Sequence, residues 1–282
     1  MSKKNMLLGN ASGKVGDLVF YRAGGEQRTR TKVTPANPRS YNQQVQRSKI
    51  GEITNAFRAM NALLRETFPN RPTRQSAFNA FSAANMPIAP TLTKTEAKMG
   101  IFNPAPFFIA KGSLANPFGE QAISGTAFKV ACGVINGTAP TTVGALLTAL
   151  QELHPCCVKD GSKIVFVVAN TGTDGMGTAG TVKMTLVKLA NASTVTLASL
   201  GVTATKNSGT NELELSVEVD AITSIAGVVL LTPQNDGKWD CPVSQMVLGS
   251  GAETKYTMYY SGAGVEVAAE SYNAAAPSCL LG

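Results

Sequence analysis

The 282-residue chain is 44% hydrophobic and 15% charged, which excludes wholesale disorder and leaves room for one large domain or two modest ones. With 27 Gly and 14 Pro, the composition favours strands and turns over a helical bundle. The formal net charge of +7 is unevenly laid out: residues 1–111 hold 17 Lys+Arg against 5 Asp+Glu (+12), whereas residues 112–282 hold 8 against 13 (−5).

Every arginine lies at or before Arg74. The guanidinium is a planar fork that binds phosphate or carboxylate through two donors, so its confinement to one segment predicts a contact surface. The alternative is a solvated face that only confers solubility. The opening Met1 to Gly9 has two lysines but a short apolar run, too short for a secretory leader. Synthesis in a cytoplasm is the expectation. No apolar run approaches the roughly 20 residues that a membrane helix needs, so no membrane span is expected.

In chain order, Asp17 to Arg22 and Glu26 to Val33 flank Ala23-Gly24-Gly25 and predict a β-hairpin. On its second strand, Arg28, Arg30 and Lys32 share one face by period two, and three like charges in a row favour water, a polyanion or an acidic partner. Pro35-Ala36-Asn37-Pro38 breaks the strand, and Ser40-Tyr41-Asn42-Gln43 fits a capping box. A long helix is predicted from about Tyr41 to Phe68, with Ile50, Ile53, Phe57, Met60 and Leu64 as its apolar stripe. Arg47, Arg58 and Arg65 fall in line at about 100° per residue, as a separate edge. Snorkelling arginines on a packed helix would give the same pattern. A shorter helix from about Pro72 to Met86, carrying Phe78, Phe81 and Met86, completes a helical hairpin. Pro87, Pro90, Pro104 and Pro106 mark a linker.

Beyond Phe107 the period is mostly two. Strands are predicted at 107–110, 127–135, 163–170, 182–189, 195–200, 212–219, 222–231, 245–248, 256–261 and 265–271. Leu213, Leu215 and Val217 alternate with Glu212, Glu214, Ser216 and Glu218, giving one buried and one acidic face. Val143, Leu146, Leu147 and Leu150 have helical spacing. The fold class is therefore α+β, mainly β: an N-terminal β-hairpin plus helical hairpin (residues 1–90), a Pro-containing linker (91–106), and an antiparallel β-sandwich or barrel-like body (107–282).

No motif points to catalysis. Gly175-Met176-Gly177-Thr178-Ala179-Gly180 matches a dinucleotide fingerprint, but Thr181 to Leu189 alternates like a strand instead of opening the required helix. Gly9 to Val15 lacks the glycine spacing and the Ser or Thr of a phosphate loop. The single histidine, His154, stands beside Cys156 and Cys157; a nucleophile pair or part of a metal site is conceivable on residue type, but no second pair completes four ligands. A helix-terminal histidine with structural thiols is the simpler reading. Asp174 is isolated among glycines, and Trp239 reads as packing beside a turn. The five cysteines, Cys132, Cys156, Cys157, Cys241 and Cys279, give no disulfide framework. Phe20, Tyr21, Tyr41, Phe57 and Phe68 could stack on bases, though core packing is the stronger explanation for them. No cofactor or metal is expected.

The block Ser12-Gly13-Lys14-Val15-Gly16, Val19-Phe20-Tyr21-Arg22, Arg28-Thr29-Arg30, Pro35-Ala36-Asn37-Pro38-Arg39 and Gln43-Gln44-Val45-Gln46-Arg47 resembles an uncharacterised family of structural proteins in tailed phages and prophages of gut bacteria. It spans about the first quarter of the chain. Ser76 to Ala80, Phe108 to Leu114 and a terminal segment near Cys279 are similar too, while the middle section is longer and Ser40 stands where threonine is usual. The resemblance implies a virion or surface-associated structural role without catalysis.

Three functions remain as expectations. The first is a virion component, decorating a capsid or sitting at the head-to-tail region, whose Arg28, Arg30, Lys32, Arg39, Arg47, Arg58, Arg65, Arg71 and Arg74 dock on other virion proteins or on further copies of itself. The second is nucleic-acid binding by the same residues. The third is a host-surface or carbohydrate-binding sandwich working through loops such as Thr171 to Gly180.

Overall fold

The structure, a computed structural model, describes residues 12–23, 26–33, 39–170, 182–219, 224–235 and 237–273. The chain divides into two compact units, residues 1–40 and 41–282.

The first unit contains β1 (Gly13–Val15), β2 (Leu18–Ala23) and β3 (Glu26–Thr31), paired antiparallel in that order. The predicted hairpin is present, and its register runs from Leu18 opposite Thr31 to Ala23 opposite Glu26. β1 adds a third strand that the sequence did not mark. Gly16 has φ 59°, a left-handed conformation that costs glycine nothing and lets the chain reverse from β1 into β2.

The second unit begins with α1 (Tyr41–Ala59), α2 (Asn61–Leu64), α3 (Ala77–Asn85) and α4 (Lys94–Met99). The expected single helix to Phe68 is interrupted at Met60, whose φ of −108° and ψ of 14° leave the helical region. The break turns Leu63, Leu64 and Phe68 inward. The second helix of the hairpin starts at Ala77 instead of Pro72, because the Ser76 side chain accepts from the Asn79 N–H at 3.2 Å and caps it there. The hairpin packs through Phe57, whose ring is 5.3 Å from Phe78 and 5.8 Å from Phe81.

Residues 91–106, linker-like in sequence, contain α4 with a complete capping box between Thr93 and Glu96 and bury Leu92, Ile101, Phe102 and Asn103. The contact boundary instead lies after Ser40. Gly100, in the left-handed region at φ 76°, ends α4.

The remaining elements are β4 (Phe108–Ala110), β5 (Gln121–Ser124), β6 (Ala127–Val134), α5 (Val143–Leu153), β7 (Lys163–Asn170), β8 (Lys183–Lys188), β9 (Val202–Lys206), β10 (Glu212–Glu218), β11 (Ser224–Pro233), β12 (Trp239–Asp240), β13 (Ser244–Gln245), β14 (Val247–Leu248), α6 (Ser250–Tyr260) and α7 (Gly264–Asn273). A four-stranded sheet runs β5-β6-β10-β9 and a five-stranded one β12-β11-β7-β8, with β14 also on β11; β13 pairs with β4. All pairings between these strands are antiparallel, and no barrel closes among the described residues.

The five-stranded sheet is the middle of three layers. Ile164, Phe166 and Val168 of β7, with Ala226, Val228 and Leu230 of β11, share a core with Phe128, Val130, Leu213, Leu215 and Val217 of the four-stranded sheet. The intervening Val165, Val167, Ile225, Val229 and Leu231 share a second core with Ile53, Met60, Leu64, Phe81 and Phe107 on the helical side. Burial on both faces explains why β7 and β11 read as continuous apolar runs, while β10 alternates buried and polar residues.

Two predicted strands, 256–261 and 265–271, are helices α6 and α7. Their apolar alternation was misleading: Val267 is 59% exposed, whereas the consecutive Ala268 and Ala269 are buried. Alanine-rich faces permit close helix packing and favour the helical backbone. The predicted strand at 195–200 is a short 3₁₀ turn at Ala198–Leu200.

Candidate interaction surface

In the first unit, strand pairing converts the basic alternation into a two-dimensional face. Arg28 lies opposite Tyr21 and Arg30 opposite Val19, and Lys14 lies opposite Val19 from the other side. One face therefore carries Lys14, Val19, Tyr21, Arg28 and Arg30. The Arg30 guanidinium sits 5.6 Å from the centre of the Tyr21 ring, within cation–π range. Arg28 reaches Glu26 at 3.6 Å; both side chains are more than half exposed, so the pair contributes little to stability. The opposite face carries Val15 and Leu18, which are 68% and 48% exposed. The Lys32 N–H donates to the Asp17 carbonyl at 2.6 Å, closing the open end of the β2–β3 pair. Arg39 is exposed at φ 48°.

The second unit distributes its arginines over several elements. Arg47 and Arg58 lie on α1, eleven residues or about 16 Å apart along its axis, and both are exposed. Arg65 follows the break at Met60, so it does not continue their line; its Nε donates to Asn61 Oδ1 at 3.0 Å. Arg71 Nη1 donates to the carbonyls of Phe68 (2.8 Å) and Arg65 (3.3 Å), which fixes its guanidinium against the chain. Arg74 is exposed in the next turn. Arg71 and Lys111 line a cleft of about 340 Å³ whose apolar wall includes Phe68, Ala80 and Ala84. Two cations over an apolar wall suit an amphipathic group with a carboxylate. Lys14 and Lys111 were not singled out in the sequence, because only the strand register and the α3 packing bring them beside the arginines.

The expected apolar stripe of α1 is only partly its buried face. Ile50 is 49% exposed, whereas Gln44, Ser48, Glu52 and Asn55 are buried. Three of these polar residues serve the irregular chain between α3 and β4. Ser48 Oγ donates to Leu92 O at 2.6 Å, Asn55 Nδ2 donates to Ala97 O at 3.1 Å and Ile101 O at 2.7 Å, and Glu52 Oε1 accepts from the Asn103 N–H at 2.9 Å. Buried backbone groups left outside a strand or helix ladder need such partners.

Glu52 is fully buried, and its Oε2 has no hydrogen-bond partner. Burial raises its carboxyl well above the ordinary value; the Asn103 N–H opposes this, Glu96 adds to it and Lys255 opposes it. The folded state therefore binds a proton that the unfolded chain releases above the ordinary carboxyl range. Stability from this group is complete at acid pH and falls as pH rises through the folded-state pKa. Glu52→Gln, which keeps the shape and remains neutral, is expected to stabilise the protein by roughly 1–3 kcal/mol at pH 8 and to change little at pH 4. Urea unfolding at the two pH values measures this; an equal gain at both would contradict it.

His154 caps the C-terminal end of α5, and its Nε2 lies 2.9 Å from the Cys132 carbonyl, so that nitrogen donates. This contact gives the ring a structural task. Burial pushes the Cys132 and Cys241 thiols up to about 12, far from nucleophilic use at neutral pH. No group of three or more His, Cys, Asp or Glu residues suited to a metal ion occurs among the described residues, and no described helix is long and apolar enough to cross a membrane. The glycine-rich 171–180 loop, Asp174, the Pro35–Pro38 break and Cys279 lie outside the described residues. Comparison with protein-family models, curated proteins and solved structures finds no match for this chain.

Proposed function

We propose that the chain is a non-enzymatic structural protein of a tailed-phage virion, a capsid decoration or head-to-tail component that docks through its basic N-terminal segment. The observation that carries this reading is the sheet of β1 to β3. Its Val15, Leu18 and Tyr21 stand 68%, 48% and 39% exposed, beside the basic side chains of the same small sheet. An apolar and cationic sheet of this kind gains by being covered. The charge split supports a partner surface of acidic protein, including the body of another copy, whose residues 112–282 carry a balance of −5. The motif block from Ser12 to Arg47 supports the phage setting.

Nucleic acid is the second reading, favoured by one specific feature: Lys14, Tyr21, Arg28 and Arg30 share a face, so phosphate contacts and base stacking could coincide there.

Removal of residues 1–40 separates the docking segment from the rest. The remaining 41–282 unit, which holds both hydrophobic cores, is expected to melt cooperatively and to lose self-association. Retention of full self-association by this truncated chain in sedimentation velocity would remove the docking role of the segment.

A further inference from the structure

The turn between α5 and β7 holds two adjacent thiols in an unequal environment. Cys156 is exposed and Cys157 is buried, and their sulfurs lie 3.4 Å apart. The backbone around them is fixed from both sides. The N–H groups of Cys157 and Val158 both donate to the His154 carbonyl at 3.1 Å, and Thr232 Oγ1 donates to the Cys157 carbonyl at 2.6 Å. His154 is itself tied to Leu150 through its N–H at 2.8 Å and to Cys132 through its ring. The sulfurs thus start within about 1.4 Å of bonding distance, taking a disulfide length near 2.05 Å, on a turn that cannot easily carry them apart.

We propose that Cys156 and Cys157 form a redox-convertible vicinal dithiol, a modification site that closes to a disulfide by exchange with a small-molecule disulfide such as oxidised glutathione. In the first step the Cys156 thiolate attacks one glutathione sulfur; a Cys156–glutathione bond forms, the glutathione S–S bond breaks, and one glutathione thiolate leaves. In the second step Cys157 loses its proton to solvent and attacks Cys156 Sγ; the Cys156–Cys157 bond forms and the second glutathione leaves as thiolate. Two protein thiols are oxidised and one glutathione disulfide is reduced. The exposed thiol meets the reagent, and the buried one resolves the adduct because it is already in place. Burial, with Cys156 alongside, raises the Cys157 thiol, consistent with Cys157 acting second. Cys132 and Cys241 are buried and serve as internal references.

The test treats the folded full chain with oxidised glutathione, quenches with acid, blocks free thiols, and digests with trypsin and a glutamate-specific protease. Cleavage after Glu152 and Lys159 releases Leu153 to Lys159, which contains this pair and no other cysteine. The wild-type peptide is expected two hydrogens lighter and unblocked, reverting with dithiothreitol. Cys157→Ser is expected to retain the glutathione adduct on Cys156, and Cys156→Ser to leave Cys157 unmodified. Cys157→Ala replaces the serine variant if a hydroxyl in the core disturbs folding. A lasting adduct on wild-type Cys156, an unmodified pair, or a cross-link to another cysteine would overturn the proposal.

Discussion

Phe81→Ala is expected to lower the unfolding free energy by about 3–5 kcal/mol, the largest stability loss of any single change considered. The Phe81 ring is fully buried and touches three others: Phe57 at 5.8 Å, Phe68 at 6.2 Å and Phe107 at 6.0 Å between centroids. These belong to α1, to the segment after α2 and to the chain leading into β4, so the ring ties α3 to three separate segments of the helical-side core. Its removal leaves a cavity among these rings, which the surroundings fill only in part, on top of the lost transfer energy. Denaturant unfolding of the wild type and the variant measures the difference. A loss below about 1 kcal/mol would be typical of an exposed site and would contradict the packing.

The second large effect falls on assembly. Arg28→Glu combined with Arg30→Glu reverses two charges on one face of β3. Against an acidic partner, this exchange replaces attraction by repulsion, and like charges brought together at an interface cost several kcal/mol. Self-association is therefore expected to weaken by about two orders of magnitude, equivalent to roughly 3 kcal/mol. The fold of residues 41–282 should be unaffected, because the arm forms its own compact unit. Analytical ultracentrifugation supplies the association constant, and thermal melting supplies the control. Unchanged association with an unchanged melt would exclude the arginine face as the docking surface.

The parts of the fold that were legible in sequence are those where one periodicity dominates. β10 shows its two faces directly through Leu213, Leu215 and Val217, and the β2–β3 hairpin is announced by its glycine turn. β7 and β11 were legible as strands because β-branched residues fill them, although their burial on both faces needed the third layer to explain it. The misread elements have mixed signals. In α7, Val265 and Val267 suggested a strand, but the packing face is made of small alanines that carry almost no hydropathy contrast. The polar residues Ser48, Glu52 and Asn55 hid the buried side of α1, since their partners are backbone groups some forty residues or more away. Residues 91–106 looked like a linker for a similar reason: beyond the short helix α4, several of their backbone groups are held by Ser48, Glu52 and Asn55 of α1. Of the candidate site, the arginine composition was legible. Period two also put Arg28 and Arg30 on one face, but not their neighbours, because Lys14 and Tyr21 join them only through strand register, and Arg65 leaves the line of Arg47 and Arg58 only through the break at Met60.

Size-exclusion chromatography with light scattering on the full chain, from low to high salt and with or without DNA, tests the docking role most directly. A homo-oligomer that dissociates as salt rises and ignores DNA is the expected result. A monomer at every salt concentration that shifts only when DNA is added, with affinity falling steeply with log salt, would contradict self-docking and assign the basic face to nucleic acid.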